Sequence, residues 1–142
     1  MNKKILIVVS NYYKDIAEGL HRGAVETLKK SKYNYETVYV PGSFEISLAI
    51  KYFIKKNKYD GYIALGCILK GQTYHFNLLS NECARAINSL ILEYTKPIGF
   101  GVLTCNNIKE ARSRSIRGKK NKGKEAALAC LQMVNLLSSK NK

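Results

Sequence analysis

Tyr62-Ile63-Ala64-Leu65-Gly66-Cys67-Ile68-Leu69-Lys70-Gly71-Gln72-Thr73-Tyr74-His75-Phe76 is the stretch on which the reading of this chain turns. The apolar run from Tyr62 to Leu69 stops at a cation, a glycine and small polar residues. A run of this length between turn signals reads as a buried parallel strand. Asp60-Gly61 supplies the turn before it, and a helical pattern follows from Asn77 to Tyr94. The polar turn then stands at the carboxyl end of the strand, where ligands of open α/β sheets bind. Its backbone N–H groups open a helix and suit an anion. His75 adds an imidazole, a side chain that titrates near neutrality.

The same grammar recurs on both sides. Ile5 to Val9 reads as a buried strand, ended by Ser10-Asn11-Tyr12-Tyr13. Asp15 and Glu18 stand at capping-box spacing, so Asp15 is expected to cap the next helix. Ile16, Leu20, Ala24 and Leu28 give that helix one apolar face. Tyr35 to Val40 is a β-branched and aromatic second strand, broken by Pro41-Gly42. Ser43 is expected to cap a helix that carries Phe44, Leu48 and Tyr52 and runs to Lys58. Pro97 opens a fourth strand, Ile98 to Leu103. Asn107, with Glu110 three residues on, caps a short helix. A basic loop, Arg117 to Gly123, precedes a last helix from Lys124 to Leu137, and Ser138 to Lys142 reads as a frayed tail.

Strands and helices that alternate in this way imply a parallel sheet covered on both faces. Right-handed crossovers leave a flavodoxin-like strand order as the natural one. The expected fold is a single domain over residues 1–142. It is a three-layer α/β/α sandwich, flavodoxin-like, with a four-stranded parallel sheet.

Composition narrows the function classes. A chain of 142 residues suits one domain with a sizeable core. No apolar run approaches the roughly 18 residues of a membrane span. The start, Met1 to Ile5, has the look of a signal n-region, but no cleavage site follows the apolar run, so no signal peptide is expected. The formal net charge of +14 attracts anions, although lysines on polar helix faces account for much of it. Cys67, Cys83, Cys105 and Cys130 form no Cys-x-x-Cys motif, and the chain has only two histidines. A zinc site is not expected, and the thiols read as small core residues in a reducing cytoplasm.

In a parallel sheet the turns after all four strands lie on one edge. Tyr12, Ser43-Phe44-Glu45, Lys70 to His75 and Thr104 to Asn107 thereby become one candidate pocket. Gly71-Gln72-Thr73 suits a phosphate, though an ordinary helix cap has the same look. His75 suits proton transfer, and a surface histidine reads no differently. Glu45 suits ligand hydroxyls or merely the helix dipole. Tyr12, Phe44 and Phe100 suit a flat ring or the core. Arg112 to Lys124 is the strongest basic run, suited to phosphate or to solvent. No nucleophile elbow, Walker loop, dinucleotide fingerprint or metal motif occurs.

Taken together, four pieces resemble the 6,7-dimethyl-8-ribityllumazine synthase family. They are Pro41-Gly42-Ser43-Phe44-Glu45, Ala64 to Phe76, Phe100-Gly101-Val102-Leu103-Thr104 and Asn121-Lys122-Gly123-Lys124-Glu125-Ala126-Ala127. The resemblance spans Ile5 to Leu137 and keeps the family's order and spacing. It implies condensation of 5-amino-6-(D-ribitylamino)uracil with 3,4-dihydroxy-2-butanone 4-phosphate, without metal or organic cofactor. It implies His75 as general acid/base and Tyr12 as the ring-stacking aromatic. Ser43, Phe44 and Glu45 would line the ribityl and pyrimidine site. Cys67, Ile68 and Leu69 would meet the ring, and Gln72 and Thr73 the phosphate. Phe100, Arg114 and Lys122 match residues that the family supplies from a neighbouring subunit, Arg114 pairing with phosphate.

Departures from the family pattern are plain. Asn11-Tyr12-Tyr13 stands where Arg-Phe-Asn is common, Lys70 where Arg is usual, and Gln72 where a small residue is usual. Arg117-Gly118-Lys119-Lys120 replaces a loop richer in Gly and Thr. Only Met1 to Lys4 precede the first strand, where the family's extension adds a strand to a neighbour's sheet. That favours a cytoplasmic homopentamer, or a pair of pentamers, over a sixty-subunit shell. Neither nucleic acid nor membrane is an expected partner. Two other readings share these residues: a basic polyanion- or RNA-binding module, resting on the net charge, and a flavodoxin-like flavin carrier, resting on the fold.

Overall fold

Alternation along the strands sets the layers. In a computed structural model, which describes residues 3–71 and 75–138, the chain folds as β1 (Lys4–Ser10), α1 (Lys14–Lys30), β2 (Asn34–Val40), a 3₁₀ turn (Ser43–Glu45), α2 (Ile46–Lys56), β3 (Gly61–Leu69), α3 (His75–Tyr94), β4 (Ile98–Cys105), α4 (Ile108–Ser113) and α5 (Lys122–Ser138). Ile5, Ile7 and Val9 of β1 point to one face, where α1 and α5 supply Leu20, Ala24, Leu28, Ala127 and Leu131. Leu6 and Val8 point to the other, where α2 and α3 supply Ile46, Ile50, Cys83 and Ile87. Successive strand side chains face opposite ways, so one strand serves two cores.

All strands are parallel, in the order β2-β1-β3-β4. The expected sandwich is therefore the observed one. The chain moves from β1 outward to β2, then crosses to β3 on the other side. The point between β1 and β3 is a topological switch, where the crossovers diverge and leave a crevice.

Small residues close the α1–α5 seam. A Cβ on Gly19 would lie 2.1 Å from the Ser115 carbonyl oxygen, and one on Gly123 would lie 1.9 Å from that of Leu20. Asn121 locks the seam: its amide donates to the carbonyls of Gly19 (3.1 Å), Ser115 (3.0 Å) and Ile116 (3.0 Å), while its Oδ1 accepts from the Lys124 N–H (2.9 Å). α5 accordingly begins at Lys122, not Lys124, because this buried asparagine caps it.

Two caps differ from expectation. α1 starts at Lys14 behind Tyr13 with no side-chain cap, so Asp15 lies inside the first turn and serves the helix dipole instead. Ser43 caps nothing: it opens the 3₁₀ turn, and α2 starts only at Ile46. Asn107 does cap α4, accepting from the Glu110 N–H at 2.9 Å. β4 runs to Cys105, beyond the expected Leu103, because β3 stays paired with it to Leu69. Of the expected tail, Ser138 ends α5, and residues 139–142 lie outside the described residues.

Candidate functional site

β1 stops before β3 does. The last β1–β3 pair is Val9 with Leu65, while β3 continues to Leu69 beside β4 alone. Gly66 to Leu69 thus have one side open at the carboxyl edge of the sheet. A cleft of about 500 Å³ occupies that step, in the range of small-molecule sites. Its lining joins Tyr12 and Tyr13 after β1, Gly42 to Glu45 after β2, Cys67 to Leu69 of β3, and His75, Leu78 and Leu79 of α3.

Eight residues singled out in the sequence converge here: Tyr12, Ser43, Phe44, Glu45, Cys67, Ile68, Leu69 and His75. Two aromatic rings stand out into solvent at the mouth, Tyr12 at 72% exposure and Phe44 at 60%. Exposed rings beside an apolar cleft are suited to covering a flat heterocycle. Tyr13 meets Tyr12 edge-on, centroids 5.0 Å apart, and its phenol is pushed up, chiefly by burial. Tyr13, Gly42, Leu78 and Leu79 complete the wall although the sequence did not mark them. Leu78 and Leu79 follow His75 at helical spacing of three and four, which was the available signal.

Gly66 is required by close approach. A Cβ there would stand 2.8 Å from Ser43 Oγ and 3.2 Å from the Ser10 Cβ. The 3₁₀ turn therefore lies directly on the sheet, which is how Phe44 and Glu45 reach the cleft. The Cys83 thiol donates to the Ser43 carbonyl at 3.5 Å and pins the turn from α3. The hydroxyls of Ser10 and Ser43 are buried and find no hydrogen-bond partner among the described residues. Cys67 is no nucleophile: burial, then the neighbouring Cys105, pushes its thiol up to about 12, so it stays neutral at physiological pH.

Several expected residues lie elsewhere. Gln72 and Thr73, the phosphate turn, lie outside the described residues. Among the described residues, the turn after β4 is not part of the cleft's lining, which comes from the turns after β1 and β2, the end of β3 and the start of α3. β4 is the edge strand, and β3 separates its turn from the switch point. Phe100 pairs in register with Ala64 and packs half-buried against the α2–α3 core. Arg114 ends α4, its Nη1 donating to the Glu110 carbonyl at 3.3 Å, and its charge opposes the burial that raises the Cys105 thiol. The Lys122 N–H donates to the Arg114 carbonyl at 2.8 Å, so the two residues adjoin through their backbones, and the Lys122 ammonium lies 2.5 Å from Glu125 Oε1. His21, to which no role was given, is hydrogen-bonded to Thr37 Oγ1 at 2.9 Å, and burial holds its imidazole below the usual range.

Comparison with known proteins points to one family. The family model described as 6,7-dimethyl-8-ribityllumazine synthase matches residues 2–138. A protein of that name from Bartonella bacilliformis is 43% identical over 139 residues, 96% of this chain and 91% of its own length. The namesake from Bartonella tribocorum is 44% identical over 140 residues, covering 96% and 92%. That from Bartonella henselae is 44% identical over 134 residues, covering 93% and 86%.

Proposed function

The chain belongs to the 6,7-dimethyl-8-ribityllumazine synthase family, and from that premise we propose how its cleft performs the reaction. The enzyme is a transferase of riboflavin biosynthesis. It condenses 5-amino-6-(D-ribitylamino)uracil with 3,4-dihydroxy-2-butanone 4-phosphate to 6,7-dimethyl-8-ribityllumazine, phosphate and water. Family membership favours neither the polyanion module nor the flavin carrier.

In our reading the pyrimidine lies against the end of β3, between Tyr12 and Phe44. Glu45 accepts from the ribityl hydroxyls. The pyrimidine's primary amine attacks the ketone, and an imine forms with loss of water. Phosphate then leaves, and the ring closes with loss of a second water. His75, at the start of α3, takes and returns protons in these steps, as positioned imidazoles do. The phosphate is assigned to Gln72 and Thr73.

One observation carries the arrangement. A phosphorylated substrate needs cations, yet the described lining of the cleft holds no lysine or arginine. Arg114 and Lys122 adjoin instead at the junction of α4 and α5, outside that lining. We assign the phosphate-binding cations to a neighbouring subunit, whose Arg114, Lys122 and Phe100 complete the cleft. Exposed Leu48 and Tyr52 on α2 and Leu92 on α3, on the face of the sheet opposite α1 and α5, support an assembly. The proposed assembly is a homopentamer or a pair of pentamers, and the four buried free thiols suit a reducing cytoplasm. Appearance of lumazine absorbance on mixing the two substrates tests the activity. A folded oligomer with no turnover at any substrate concentration would overturn it. Molar mass in solution separates pentamer from decamer and shell.

A further inference from the structure

A second groove lies away from the cleft, on the outer side of the α1–α5 seam. It has a volume of about 280 Å³, and Arg22, Lys30, Arg117 and Lys124 line it, with Glu26 as the one carboxylate. Glu26 Oε2 sits 3.0 Å from Arg117 Nη2, so it neutralises one cation and holds that side chain across the groove. Three positive charges remain in excess. The amino end of α5, where Asn121 and Lys124 lie, adds the positive pole of a 17-residue helix. Gly118, at φ +132°, lets the loop turn there in a conformation that side chains rarely adopt.

Like charges that converge in a concavity repel one another, and an anion between them relieves that repulsion. Three excess charges in a groove of this size fit two or three linked phosphates better than one. We propose that this groove is an oligophosphate site of the pyrophosphate or triphosphate class, independent of the catalytic cleft. Arg22 and Arg117 offer forks for phosphate oxygens, and Lys30 and Lys124 act as point charges. The site does not depend on the lumazine reaction and is tested apart from it.

The test titrates the full-length protein with inorganic tripolyphosphate, pyrophosphate and orthophosphate by calorimetry, at several salt concentrations. Tripolyphosphate binding tighter than orthophosphate is expected. Arg22→Gln with Lys124→Gln should weaken it by roughly tenfold or more, about what loss of charge-assisted contacts gives. Lys58→Gln with Lys96→Gln, in the turns that precede β3 and β4, removes equal charge and should leave binding unchanged. Lumazine turnover should persist in both variants, which also shows that they fold. Equal weakening by both pairs would assign the effect to net charge and overturn the site. So would the absence of tripolyphosphate binding, or single-stranded RNA binding to which both pairs contribute alike.

Discussion

The switch-point cleft and the α1–α5 seam are built from opposite choices. At the seam every polar atom of the Asn121 side chain is used, and glycines bring backbone within contact of backbone. At the cleft, large rings face solvent and two buried serine hydroxyls have no hydrogen-bond partner among the described residues. Buried polar groups are normally satisfied, so the seam reads as structure and the cleft as a place where interactions are held open. Substitutions should therefore divide cleanly: stability at the seam, turnover at the cleft.

The sharpest way to break that contrast is Gly123→Val, whose Cβ would fall 1.9 Å from the Leu20 carbonyl oxygen. Overpacking against backbone should lower stability by about 3 kcal/mol or more, measured by urea unfolding. A loss below ~1 kcal/mol would show that the seam yields. Asn121→Ala removes a cap and leaves buried carbonyls without donors, for an expected loss of about 2–4 kcal/mol. His75→Ala should leave the unfolding midpoint in place and slow turnover by roughly 10–100-fold. An unchanged rate would make His75 structural.

Smaller effects refine the picture. The Tyr59 phenol donates to Glu36, and burial together with that carboxylate pushes it up to about 12; burial chiefly raises Tyr62 to about 12 as well. Unfolded phenols ionise near pH ~10. Folded-state values above the unfolded one give stability that is whole below pH ~10 and lost as pH climbs toward ~12. The melting temperature should fall over that window, and less steeply in Tyr59→Phe; equal slopes would remove Tyr59 from the account. The smallest effect is Cys67→Ala, which should keep turnover within about threefold, since a neutral thiol offers packing rather than chemistry.

Strand order, the two cores and the β3 turn were legible because periodicity reports burial directly, as the alternation of Ile5, Leu6, Ile7 and Val8 shows. Most of the cleft was legible too, because the ends of parallel strands share an edge. Other features escaped for physical reasons. Asp15 and Ser43 sit at capping spacing, yet tertiary packing sets where α1 and α2 begin. Asn121 lay inside a basic run whose charge hid its buried role. The early end of β1 and the edge position of β4 follow from register and strand order, which no local pattern records. That is why the turn after β4, counted into the pocket, is not among its described lining.

The central claim is that one chain supplies the cleft and its neighbour the phosphate-binding cations. Complementation tests it most directly: co-express His75→Ala and Arg114→Ala chains and assay the mixed oligomers for lumazine formation. Each variant alone should be slow. Random mixing should restore roughly a quarter of the sites, those that pair an intact His75 with an intact Arg114 across an interface. Mixed oligomers no faster than the average of the two parents would place both residues in sites within one chain and contradict the shared cleft.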